Sequence, residues 1–102
     1  MADNDLIVLE DAKDAAFTID KAYRRAIRKR DLDAAMKLKP KVEDAYSALS
    51  AARLRLMEEG MLATDADVAE MRRLKAEIDE AAETQQMIEG AITMAKFLAK
   101  FV

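Results

Sequence analysis

Cysteine and histidine are both absent from this chain, and it holds one proline, two glycines, two tyrosines, three phenylalanines and no tryptophan among 102 residues. Each shortage excludes something. Without cysteine there is no disulfide framework and no thiolate metal site. Without histidine the commonest general base and metal ligand is missing. Ser47, Ser50, the threonines and the lysines have no imidazole to activate them as nucleophiles. A four-helix carboxylate di-metal site also needs a Glu-x-x-His element, so Glu77, Glu80 and Glu83 read as a solvated face. Asp65-x-Asp67 resembles the opening of a calcium loop, but Glu70 stands where such a loop requires glycine. No glycine-rich phosphate loop is present. The expectation is a non-enzymatic protein with no cofactor and no metal.

No uninterrupted apolar run approaches the roughly 20 residues that span a bilayer. The first residues, Met1 to Asp5, are acidic and lack the basic and apolar regions of a signal peptide. A cytoplasmic location is the default expectation.

What is present is helix-forming. Apolar residues make up 52% of the chain and charged ones 36%, dominated by Ala, Leu, Met, Glu, Asp, Lys and Arg. Most of these lose little side-chain entropy in a helix. With so few β-branched and aromatic residues a sheet is improbable, and the fold class is all-α, in one domain covering 1–102.

The spacing predicts three helices, over about 5–30, 31–59 and 64–101. In the first, Leu9, Ala12, Ala16, Ile19, Tyr23 and Ala26 alternate steps of three and four, behind a cap at Asn4 or Asp5. Asp31 caps the second, whose seam is Ala35, Leu38, Val42, Ala45, Leu49, Ala52 and Leu56. Gly60 then suits the left-handed end of that helix, with Met61 as the apolar contact after it. Pro40 either kinks this helix or sits at the first position of a separate one. Thr64 with Asp67 forms a capping-box-like pair opening the third helix. Its seam, Met71, Leu74, Ile78, Ala81, Gln85, Ile88, Ile92, Ala95, Ala99 and Val102, continues heptad-like to the last residue. The simplest arrangement is an antiparallel three-helix bundle.

Such a third helix would overhang the other two from Met94 onward. That overhang is apolar: Met94, Phe97, Leu98, Phe101 and Val102 occupy most of its circumference, and a helix apolar nearly all round is a buried helix. A bend folding the segment back onto the bundle would cover it, as would a membrane surface. A second copy of the chain, or a protein partner, fits the seam best. The expected assembly is a homodimer through coiled-coil-like packing of these five residues, two-fold closure being commonest.

Charge is unevenly distributed. Between Lys21 and Lys41 stand Arg24, Arg25, Arg28, Lys29, Arg30, Lys37 and Lys39 against only Asp31 and Asp33. Folded into a hairpin, this run forms a basic tip. Asp3, Asp5, Glu58, Glu59, Asp65 and Asp67 gather at the opposite, acidic one. Gln85 is a polar residue in an apolar seam, and such residues set register. It is placed to reach the backbone that Pro40 frees near Met36, to pair with a second Gln85 across an axis, or to face water.

These features point to a helical interaction or regulatory protein that oligomerises through its C-terminal helix and engages a protein partner. The alternative is peripheral binding of anionic lipid or nucleic acid by the basic tip.

Overall fold

The computed structural model describes residues 3–60 and 62–102. Among them there is no strand. Four α-helices follow in order: α1 (Asn4–Arg28), α2 (Leu32–Glu59), α3 (Asp65–Asp79) and α4 (Thr84–Leu98), with a final 3₁₀ turn at Ala99–Phe101. Met61, read from the sequence as the contact after Gly60, lies outside the described residues.

The helix ends are made by local chemistry. Asp3 accepts the Leu6 N–H at the start of α1. Asp31 accepts the Ala34 N–H at the start of α2. Between them Arg30 takes φ 58°, a left-handed value usually left to glycine. Its N–H donates to the Ile27 carbonyl while Asp31 N–H donates to Ala26, the paired closure of a Schellman motif. Gly60, at φ 69°, ends α2 with its N–H on the Leu56 carbonyl. Thr64 and Asp67 then exchange hydrogen bonds of 3.0 and 3.1 Å, the reciprocal box that starts α3. Pro40 lies inside a continuous α2.

The expected long third helix is two helices. After Asp79 the chain turns through Glu80–Glu83, and α4 runs back antiparallel to α3. The Gln86 side chain caps the new start, its Oε1 accepting the N–H groups of Ala82 (2.9 Å) and Glu83 (3.2 Å). These are donors that a helix start leaves without an intrahelical partner. α3 lies alongside α1 in parallel, as Asn4–Asp65, Lys75–Asp14 and Thr18–Asp79 are all paired 61 residues apart. α4 returns along α2, so Lys100 closes onto Asp67. The core inside these helices is built from Val8, Ile19, Leu38, Leu56, Met71, Leu74, Ile78, Met94 and Leu98, with alanines where helices approach closely.

The two hairpins differ in length. α1 has 25 residues and α3 and α4 have 15 each. Their ends are flush where Asn4 meets Asp65 and Lys100 meets Asp67. All the excess therefore projects at the other end. Asp79 closes α3 level with Thr18, and α1 continues to Arg28, about 15 Å further at 1.5 Å per residue. The part of the molecule that overhangs is the basic hairpin tip, not the apolar tail.

Candidate functional site

The tail expected to form an oligomer interface is part of the chain's own core. Met94 and Leu98 are 0% exposed and Phe101 4%. Phe97, half-buried, meets Phe101 edge-on at 5.6 Å. Only Val102, 71% exposed, faces outward. The apolar circumference of this segment is satisfied from inside: one side packs against α2 and the core, and Lys100 lies over the Phe97 and Phe101 rings while pairing with Asp67. The uncovered tail that motivated tail-to-tail pairing is absent, because the bend at Glu80–Glu83 supplies the cover.

Gln85 is likewise displaced. It sits exposed in the first turn of α4, its amide 3.4 Å from Glu89, and does not reach the backbone near Met36. Its neighbour Gln86 caps the start of α4.

The acidic pole is also reduced. Asp5 is buried and accepts the Ala63 N–H at 2.8 Å. Asp67 is buried beneath Lys100. Burial raises its pKa, but the hydrogen bonds from Lys100 and Thr64 and the ammonium charge outweigh this and hold it below the usual carboxylate value. Both carboxylates are structural.

At the opposite end the basic residues are only partly paired. Arg24 pairs with Asp20 at 3.1 Å, Lys37 with Asp33 at 3.1 Å, and Lys41, lower on α2, approaches Asp44 at 4.0 Å. Among the described residues Arg25, Arg28, Lys29, Arg30 and Lys39 carry no ion pair and are exposed. Arg25 and Lys29 overlook a notch between the two hairpin turns, floored by Ala22, Ala26, Leu38 and Met87.

A second surface was not anticipated from the sequence. The side of the α1–α2 pair facing away from α3 and α4 carries Leu6, Phe17 and Ile27 from α1 and Leu32, Met36 and Met57 from α2, all exposed. Near one end Leu6, Leu9, Leu49 and Met57 line a shallow groove bordered by Glu10, Lys13 and Arg53. At the centre Phe17 packs edge-on against Tyr46 at 6.2 Å. The Tyr46 hydroxyl donates to Asp20 at 3.0 Å, and Arg24 donates to the other Asp20 oxygen at 3.1 Å. Burial, then the neighbouring Asp20 carboxylate, push the Tyr46 pKa upward, so its hydroxyl stays a donor. By contrast the outer side of α3 and α4 presents Glu77, Glu80, Gln86, Glu89 and Thr93. The signal in the sequence was a second three-four stripe on α1, at 6, 10, 13, 17, 20, 24 and 27, beside the core stripe.

Among the described residues no cluster of three or more Asp and Glu side chains is arranged to hold a metal ion, and no helix is long and apolar enough to cross a membrane. No known family, curated protein or solved structure matches the chain.

Proposed function

We propose that this chain is a non-enzymatic helical interaction protein that works by presenting the outer face of its α1–α2 hairpin to a protein partner. One observation carries the reading: large apolar side chains, among them Phe17 at 46% and Met57 at 71% exposure, align on one two-helix face while the opposite face of the bundle is polar. Exposed large apolar side chains gathered on one face and rimmed by charged residues mark interaction sites. Rigid backbone under the stripe lowers the ordering cost of docking.

The test is a photo-reactive amino acid placed at Phe17 and, separately, at Glu77 in the full chain inside cells. A discrete adduct from position 17, absent from 77 and lost when Met36 and Met57 are changed to Lys, supports the reading. Equal labelling from both positions, or none, refutes it.

A second reading concerns the tip. The cations at the α1–α2 turn, exposed and unpaired among the described residues, suit anionic lipid or nucleic acid. Arg30, exposed in the turn itself, adds a cation there. Binding to anionic vesicles or duplex DNA that falls steeply with salt, and that weakens in Arg28→Gln/Arg30→Gln, supports this reading. No binding at low salt ends it.

A further inference from the structure

We propose that the occupant of the outer α1–α2 face is a second copy of this chain, laid antiparallel about a two-fold axis passing Phe17. The inference rests on reading that face as an interaction surface, and it names the partner.

The α1 stripe runs Leu6, Glu10, Lys13, Phe17, Asp20, Arg24, Ile27. Reversed about Phe17, it becomes its own complement. Glu10 and Arg24 stand seven residues on either side of Phe17, and Lys13 and Asp20 four and three. Leu6 and Ile27 stand eleven and ten residues away. Laid antiparallel on itself, the stripe places Leu6 on Ile27, Glu10 on Arg24, Lys13 on Asp20 and Phe17 on Phe17, each in register to within about 1.5 Å. Two-fold symmetry repeats every hetero-pair, as a self-complementary interface requires. Asp20, although it already accepts from Tyr46 and Arg24 within its own chain, retains lone pairs for a further donor.

Electrostatics selects this orientation. The other face-to-face arrangement, with like ends together, would set the unpaired Arg28 and Lys39 of one copy against those of the other. The antiparallel arrangement instead lays each basic tip over the end bearing Asp3 and Glu10. On α2 it puts Met36 opposite Met57, and it also puts Lys39 opposite Arg53. That contact is adverse, with Glu43 one turn away to offset it. The seam is thus carried by α1.

Area supports the same occupant. With 25 residues rising about 1.5 Å each and helices about 9 Å apart, the face spans roughly 37 by 18 Å. That is about 650 Å² in projection, on the scale of the ~800 Å² per partner in stable complexes.

The test is sedimentation of the full chain over a concentration series. The wild type is expected to dimerise. Glu10→Arg, an exposed change that leaves the circular dichroism unaltered, raises the dissociation constant about tenfold. Glu10→Arg combined with Arg24→Glu restores it to within about threefold. Because the chain lacks cysteine, introduced thiols report geometry directly. Phe17→Cys cross-links to itself on oxidation, and Leu6→Cys cross-links to Ile27→Cys only when the two are mixed. A wild type that stays monomeric at every concentration, an unchanged Glu10→Arg dimer, or Leu6→Cys linking to itself overturns the proposal. If the wild type is monomeric yet position 17 photo-labels a different protein, self-pairing falls and the interaction reading stands. A monomeric wild type with no adduct from position 17 removes both.

Discussion

Leu98→Ala separates a tail that belongs to the core from one that belongs to an interface. Leu98 is 0% exposed between α4, the terminal turn and α2. The backbone around it is pinned on the C-terminal side by the Lys100–Asp67 pair, so the site has little freedom to collapse onto a shortened side chain. Buried Leu→Ala changes cost about 2.7–5 kcal/mol, rising with the cavity that remains. A loss of about 3 kcal/mol is expected here. Against a total stability of about 5–15 kcal/mol for a domain of this kind, the variant still folds. Urea unfolding followed by circular dichroism should show the midpoint falling by about 1.5 M at an m-value near 2 kcal/mol/M. Thermal unfolding should shift down by roughly 12–24 °C. The deficit should be the same at dilute and concentrated protein, because the lost contacts lie within one chain. An interface residue would instead produce a loss that varies with concentration by mass action. Val102→Ala, at an exposed position, is the control and should change stability by less than about 0.5 kcal/mol. A Leu98→Ala loss below about 1 kcal/mol, or one that appears only at high concentration, would refute the intramolecular assignment.

Three further outcomes are expected. Gly90→Ala should destabilise the protein by about 1 kcal/mol despite better helix propensity. An alanine Cβ there would lie 2.7 Å from the Cγ1 of fully buried Ile78, so a stabilising shift in chemical denaturation would show that α4 does not pack closely on α3. Asp67 binds its proton more weakly folded than unfolded, so its contribution is complete above the unfolded pKa of about 3.9 and is lost as pH falls through the lower folded value. The stability gap between wild type and Lys100→Met should accordingly be full at about pH 6 and shrink toward about pH 2, and a gap that widens in acid contradicts the pairing. Arg30→Gly relieves a left-handed residue and should raise stability by up to about 1 kcal/mol in thermal unfolding; a loss would mean that the Arg30 side chain holds the turn.

What the sequence determined by itself is everything that local chemistry decides. Helix propensity and the scarcity of β-branched residues made the chain all-α. Asp31, Gly60 and the Thr64–Asp67 box placed the end of α1, both ends of α2 and the start of α3 to within a residue or two, because a cap satisfies backbone groups only a few residues away. The basic tip was legible too, since charges at a hairpin turn stay together however the rest packs. What only the tertiary structure decided is the course of the chain after Asp79. No glycine or proline marks Glu80–Glu83, and an unbroken seam through Gln85, Ile92, Ala99 and Val102 is as regular as the one used. α4 and the terminal turn instead bury Met87, Ile88, Ala91, Met94, Leu98 and Phe101, a stripe of larger side chains that becomes accessible only once the helix breaks and turns onto α2. Local propensity is nearly indifferent between one long helix and two short ones. Burying Met94, Leu98 and Phe101 against a surface that exists only in the folded bundle, at roughly 1.5–3 kcal/mol each, decides between them.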